Sequence, residues 1–249
     1  MLTIRHPLLA YEQAVTGPDA EHWKKAIQEE LLSLKKYAVW KAVVLSAVAP
    51  GARAIPTKWV FKIKTDGNGR VAPFKARLVV CGYRQRFGRD YDQTFAPVAH
   101  AASIRTILAL AIALGYHLHQ FDVKTTFLYG VLPDNQRVYI SPPKGVQVPA
   151  GHILSLLKAM YMYGLKQAPL QWNRHLNATL SRIGFKRSTF DPCVYFRTTS
   201  TGTLFLAVVV DDIITAASSP HATKEFEAQI HEASVRTDYS GESNTPGGP

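Results

Sequence analysis

Apolar residues recur at steps of three and four between Asp19 and Val39. Trp23, Ile27, Leu31 and Leu34 fall on one side, with Lys and Glu between them. That period predicts a helix entered after Pro18, with Asp19 as its N-cap. The period then shortens to two. Over Thr57–Thr65, Trp59, Phe61 and Ile63 alternate with Lys58, Lys62 and Lys64. Asp66-Gly67-Asn68-Gly69 is a turn signal, and from Phe74 to Cys81 the residues Phe74, Ala76, Leu78 and Val80 alternate with Lys75 and Arg77. These runs predict an antiparallel hairpin with one apolar and one cationic face. Ser103–Leu114 is almost wholly apolar and predicts a buried helix that stops near Gly115, followed by a short strand over His117–Val123. Pro142, Pro143 and Pro149 mark a loop region. Gln171–Ile183 is amphipathic, with Trp172, Leu176, Leu180 and Ile183 on one face and Gly184 as its stop. Leu204–Ala217 is an apolar, β-branched run interrupted only by Asp211 and Asp212. From Tyr239 onward Ser, Gly, Asn and Pro take over, which predicts a disordered tail over 239–249.

Composition sharpens this picture. A chain of 249 residues with 47% apolar side chains can bury one sizeable core or two small ones. Lys and Arg number 29 against 18 Asp and Glu, a formal charge of +11. Such a balance suits a polyanion, since each phosphate neutralised releases counterions. A soluble protein that is merely basic has the same totals. Cys81 and Cys193 lie far apart and form no CxxC pair, which argues against a structural zinc site and for a reducing compartment. Met1–Ala14 has no apolar signal-peptide core, and the longest apolar stretches, Ile107–Leu114 and Leu204–Val210, fall far short of a membrane span. The expectation is an intracellular protein, neither secreted nor bound to membrane.

Asp211-Asp212 carries the chemistry. Two adjacent carboxylates between apolar strands are costly unless a cation neutralises them. A tight hairpin with the pair at its tip suits both flanking strands, and Mg²⁺ suits the oxygens. A plain solvent-exposed turn reads the same way from this segment alone. Asp122 sits near the end of the strand predicted over His117–Val123, with Phe127-Leu128 close behind. Carboxylates at two strand ends suit two-metal phosphoryl transfer if the fold brings them together. A lone Asp after a strand is otherwise a cap or turn residue.

The residues resemble the copia-type reverse transcriptases. Trp59-Val60-Phe61-Lys62 precedes the Asp-Gly-Asn-Gly turn. Lys75-Ala76-Arg77-Leu78-Val79 follows, then Gly82-Tyr83, Gln85, Asp90-Tyr91, Thr94-Phe95-Ala96-Pro97-Val98 and Ile104-Arg105. Phe121-Asp122-Val123-Lys124-Thr125-Thr126-Phe127-Leu128-Tyr129-Gly130 resembles the first catalytic motif, Tyr163 to Pro169 with Trp172 the template- and nucleotide-positioning motif, and Val210-Asp211-Asp212 the second catalytic motif. Each string is weak, but their joint order from about Trp23 to about Asp238 is specific.

The resemblance implies an α+β right-hand polymerase of fingers and palm, the palm an antiparallel sheet backed by helices and the thumb missing. Residues 1–18 would be an N-terminal extension and 19–238 the polymerase, with a fingers hairpin at about 57–83 and a palm at about 100–238. The implied activity is RNA-directed DNA polymerisation by two-metal nucleotidyl transfer onto a primer 3′-hydroxyl. Asp122, Asp211 and Asp212 would be the catalytic metal ligands, for two Mg²⁺ with Mn²⁺ as a substitute, the first Asp of each motif, Asp122 and Asp211, carrying most of the ligation. Phe127 would be the steric gate against a ribose 2′-hydroxyl, or else a core aromatic. Gln167 would line the nucleotide pocket. Lys64 and Arg77, with Lys62 and Lys75 on the same faces, would hold the triphosphate, or else be ordinary solvated cations. The implied partners are an RNA or DNA template with its primer, a dNTP, and the integrase and ribonuclease H of a retrotransposon polyprotein. The implied location is a cytoplasmic particle or the nucleus.

Some positions depart from the family pattern. Val209 stands where the family has Tyr, Thr126 where it has Ala, and Tyr129 where it has Asn. After Asp238 the family continues with Leu-Gly, and this chain does not. The sequence therefore leaves a second expectation open: a catalytically inactive, truncated remnant that binds nucleic acid without extending it. A nucleotide cyclase with a similar palm is weaker, since it needs no template-positioning motif.

Overall fold

A computed structural model describes residues 9–48, 53–65, 71–123, 132, 137–158, 164–233 and 237–243. In chain order its helices are α1 (Tyr11–Thr16), α2 (Ala20–Lys36), α3 (Ala101–Leu114), α4 (Ala168–Arg182) and α5 (Pro220–Glu232). Its strands are β1 (Trp40–Val44), β2 (Thr57–Thr65), β3 (Val71–Val80), β4 (His117–Val123), β5 (Tyr139–Ile140), β6 (His152–Leu156), β7 (Lys186–Arg187), β8 (Val194–Thr199), β9 (Gly202–Val209), β10 (Asp212–Ala217) and β11 (Thr237–Ser243). The class is α+β, and every strand pair is antiparallel.

The chain divides into two compact units. The first comprises residues 1–94 and 130–168, the second 95–129 and 169–249. This differs from a single second segment running from about 100 to 238. Residues 152–156 return to the first unit because β6 pairs with β1, with Trp40 opposite Leu156, and β5 pairs with β6.

In the first unit β2 and β3 form the expected hairpin. Trp59 faces Leu78, Phe61 faces Ala76 and Ile63 faces Phe74, so the apolar residues share one side. Helix α2 covers that side. The Trp23 ring meets Phe61 at 5.0 Å and Phe74 at 4.6 Å, both edge-on. Burying such aromatic clusters is the main apolar contribution at this junction. Glu30 of α2 accepts a hydrogen bond from the Leu78 amide at 3.1 Å, satisfying a donor on the β3 edge. Asp19 occupies the N-cap position of α2, but its side chain makes no capping bond.

The second unit holds a six-stranded sheet in the order β11-β4-β10-β9-β8-β7. Alternation gives it two faces. Phe121, Ile213 and Val208 lie opposite one another on one face, all buried. Phe226 of α5 packs edge-on against Phe121 at 5.6 Å. Gln120, Asp122, Asp212 and Ile214 lie on the other face and are exposed or half-buried.

Helix α3 ends at Gly115, which adopts the left-handed conformation at φ 65°. It is not buried as expected. Among its residues Ile107 and Ala111 are buried, but Ile112 is 69% exposed and Leu114 55%. Its continuous apolar run had hidden a one-sided helix.

Strand β11 also departs from expectation. The tail predicted as disordered from Tyr239 is a strand as far as Ser243, with Tyr239 opposite Phe121. Ser, Gly and Glu are poor strand formers, but β4 presents an open row of backbone donors and acceptors that a following segment can complete. Residues 244–249 lie outside the described residues.

Asp191, 2% exposed, ties the loop before β8 to α3. Its Oδ2 accepts from the His100 amide at the helix N-cap and its Oδ1 from the Cys193 amide, both at 2.9 Å. Burial pushes its carboxyl upward. The Ser103 side chain, these two amides and the nearby His100 outweigh that, so the net shift is below the usual carboxylate value. A depressed value stabilises the fold above the unfolded carboxylate's pKa, and that contribution fades as pH falls through the folded one. Asp191→Asn is therefore expected to lose about 2 kcal/mol at neutral pH. Its deficit in urea unfolding should shrink as the pH drops below about 4. A deficit independent of pH would refute this account.

Candidate active site

Asp122 and Asp212 are brought face to face. The β4–β10 register sets Asp122 directly opposite Asp212, and the Val123 amide donates to the Asp211 carbonyl at 2.9 Å. Directly opposed residues on antiparallel strands project to the same side, so the two carboxylates share the open face of the sheet. Like charges in that arrangement destabilise the pair. The side-chain amide of Gln120, on the same face, donates to Asp212 Oδ1 at 2.9 Å.

The β9–β10 connection explains where Asp211 sits. Val209 pairs with Asp212, leaving Val210-Asp211 as a two-residue loop. Such loops favour glycine where φ is positive, yet here Val210 holds φ 60°. A β-branched side chain in that region stores on the order of 1–3 kcal/mol of strain and persists only when its surroundings enforce it. The enforcing contact is visible: the Trp172 indole N–H donates to the Val210 carbonyl at 2.8 Å. Trp172 is itself 3% exposed on α4, fixed by the apolar stripe it shares with Leu176 and Leu180. Trp172→Phe is expected to lose about 1 kcal/mol in urea unfolding. In a Val210→Gly background, where the turn is unstrained, the loss should be half or less. Equal losses in both backgrounds would mean the indole does not clamp the turn.

Among the described residues no three His, Cys, Asp or Glu side chains gather closely enough to hold a metal ion. The register accounts for this: Asp122 and Asp212 lie across one ladder, while Asp211 occupies the turn beyond it. Two facing carboxylates still suit Mg²⁺, which binds through one or two of them plus waters and substrate phosphates.

The cationic residues divide. Lys62 lies directly opposite Lys75, and Arg77 opposite Val60, on the hairpin side away from α2. Lys62 and Lys75 are exposed. The Arg77 Nε is buried and has no hydrogen-bond partner. Lys64 lies in β2, but its side chain is outside the described residues, as is all of Phe127.

Gln167 is placed against expectation. It is fully buried, its Oε1 accepts from Gln85 Nε2 at 2.9 Å, and its Nε2 donates to the Asp90 carbonyl at 3.0 Å. Both ends of the amide are engaged inside the first unit, so it is not presented to a nucleotide. Its work is to lock the loop after β3 to the segment before α4. The Lys166 amide adds a bond to Gln85 Oε1 at 2.8 Å. Gln85 and Val210 are the residues that sequence reasoning passed over. Gln85 was visible only as one letter of a motif, and Val210 could have been singled out as a two-residue hairpin loop lacking glycine.

Comparison with known proteins agrees with the resemblance. The family model described as reverse transcriptase (RNA-dependent DNA polymerase) matches residues 37–242. The retrovirus-related Pol polyprotein from transposon TNT 1-94 of Nicotiana tabacum is 40% identical over 82% of this chain. That from transposon RE1 of Arabidopsis thaliana is 34% identical over 88%. The Ty1-BL Gag-Pol polyprotein of Saccharomyces cerevisiae is 27% identical, also over 88%. The matched region is 15% of the length of each of the two plant polyproteins and 12% of the yeast one. The chain belongs to the reverse transcriptase family, in the form carried by copia-type retrotransposons.

Proposed function

We propose that this chain is the fingers and palm of an RNA-directed DNA polymerase that extends a primer on an RNA or DNA template within a retrotransposon polyprotein. The observation that carries the reading is the opposition of Asp122 and Asp212 on the open face of the sheet, beside the strained tip that bears Asp211. In this reading the six-stranded sheet is the palm and the β2–β3 hairpin belongs to the fingers. Asp122 and Asp212, with Asp211, would hold divalent metal, Mg²⁺ or Mn²⁺. When bound, that metal lowers the pKa of the primer 3′-hydroxyl and neutralises charge on the leaving pyrophosphate. The chain's own residues set the stage. Gln120 orients the Asp212 carboxylate. Trp172 fixes the height of the turn. Lys62 and Lys75 are exposed cations on the hairpin face away from α2, of the chemistry that suits a triphosphate.

One observation favours a second reading, a protein that binds nucleic acid without extending it: three carboxylates are not gathered among the described residues. Primer extension on an RNA template with Mg²⁺ separates the two. Incorporation of dNTP supports the polymerase. Binding without incorporation, in Mg²⁺ and in Mn²⁺ alike, would leave the remnant.

A further inference from the structure

An open apolar groove lies at the end of α2, far in sequence from the carboxylates. Leu31 and Leu34 of α2, Ala38 beyond it, Trp40 of β1 and Val146 line a cavity of about 490 Å³, all within the first unit. That volume is in the range of clefts that enclose a ligand or several side chains. Leu31, Trp40 and Val146 are only half-buried. Leaving an apolar hollow of this size to water is unfavourable, so a covering group is expected.

Helix α1 is moored at one edge of the groove. Gly145, another lining residue, meets the Tyr11 hydroxyl so closely that a Cβ there would stand 2.4 Å from it. Glu12 pairs with Lys144. The Trp59 indole N–H donates to the Lys144 carbonyl at 3.0 Å, and its ring stacks on Tyr11 at 6.4 Å. These contacts hold the first turn of α1 against residues 144–145. Direction follows from connectivity. Helix α1 packs on α2 and only Gly17, Pro18 and Asp19 join them, so the two run antiparallel. Upstream of Tyr11 the chain therefore heads toward the C-terminal end of α2, where Leu31, Leu34 and Ala38 lie.

We infer that the groove is the seat of the segment Leu2–Leu8, which lies along it as an extended arm with Leu2 and Ile4 against Leu31, Leu34, Trp40 and Val146. Residues 1–8 are outside the described residues, and their sequence fits the groove in three ways. Leu2 and Ile4 alternate with Thr3 and Arg5, so an extended backbone turns both apolar side chains to one side. Pro7 disfavours helix at His6. Seven extended residues reach about 23 Å, close to the length of the 17-residue α2 at roughly 1.5 Å per residue, so the arm can run from Tyr11 to the last turn of that helix. The inference is independent of the polymerase reading, since no residue of the carboxylate face takes part.

The test is limited trypsinolysis of the full chain, with cleavage after Arg5 followed by mass spectrometry. Each rate is divided by that of the matching free peptide of residues 1–9, which removes any effect of the sequence on trypsin itself. The parent should be cut about tenfold more slowly than its peptide, or slower still. Leu2→Ser with Ile4→Ser should bring chain and peptide within about twofold of each other, whereas Thr3→Asp, on the opposite side of the arm, should keep the full protection. Val146→Trp, which fills the groove, should release the arm; its urea midpoint will verify that it folds, and the contrast between the two arm variants decides the matter if it does not. The inference is overturned if the parent is cut as fast as its peptide, if the Ser and Asp variants are equally protected, or if a folded Val146→Trp chain keeps its protection. Protection that falls on dilution by about a hundredfold would put the arm in the groove of a second copy, and that too overturns it. Absent primer extension with protection intact would sink the polymerase reading alone.

Discussion

Replacing Asp122 with Asn is expected to lower primer extension about a thousandfold while leaving the chain as stable as before, or slightly more so. The two effects have opposite signs for one reason. Asp122 and Asp212 are opposed across a β-ladder on an open face. Without a cation, neutralising one member relieves repulsion, and cross-strand pairs of this kind contribute roughly 0.2–1 kcal/mol. In the proposed polymerase the same pair would supply the hard anionic oxygens that divalent metal needs, and losing one would be worth several kcal/mol of barrier. The measurement is paired: urea unfolding without metal, and primer extension in Mg²⁺. If Asp122→Asn destabilises the apo chain and extends primers normally, the carboxylate is a structural residue and the polymerase reading loses its foundation.

A second substitution should act on the fold alone, and severely. Gly82→Ala is expected to destabilise the chain by about 3 kcal/mol or more. A Cβ built on Gly82 would stand 1.8 Å from the Gly164 carbonyl oxygen and 2.8 Å from its carbon. Both are backbone atoms, so no side-chain rotation can relieve the clash. Gly164 cannot retreat either: its own Cβ position lies 2.2 Å from the Val80 carbonyl oxygen, and its φ is +94°. Two stretches of main chain therefore cross here at a distance only glycine permits, next to the Gln85–Gln167 lock. Gly88→Ala is the control from the same loop. Its Cβ would meet nothing within 4 Å, but φ is +75°, so strain alone should cost about 1 kcal/mol. Urea midpoints that rank the two substitutions equally would rule out the crossing as the reason for Gly82.

Periodicity made much of this architecture legible. The alternation through Trp59, Phe61 and Ile63 fixed both the hairpin and its apolar face, because a period of two has only one register that buries all three. The four-residue spacing of Trp172, Leu176 and Leu180 fixed the buried stripe of α4 for the same kind of reason. From the sequence Asp122 was expected to meet Asp211; that Asp122 instead stands opposite Asp212 was not legible, since strand pairing between distant segments has no local signature. Three misreadings share a physical cause. Gln167, α3 and β11 were judged from their own residues, but their states are set by neighbours: Gln85 and Asp90 engage the amide, the sheet covers one side only of an apolar helix, and the edge of β4 recruits a segment of poor strand formers. The strain at Val210 belongs with them, because nothing in Val-Val-Asp-Asp announces that an indole on another helix will hold it.

The interleaving of the two units constrains how the chain can come into being. The first 94 residues include β1, but its partner β6 begins at His152. During translation, therefore, the first unit waits on segments made well after its opening elements, and β4 of the second unit emerges long before β9 and β10. Neither unit can be expressed as one uninterrupted stretch. A gene fragment ending near residue 130 would deliver β1 and β4 from the ribosome with their long-range partners unmade, a nascent chain inviting chaperone capture rather than a smaller working piece.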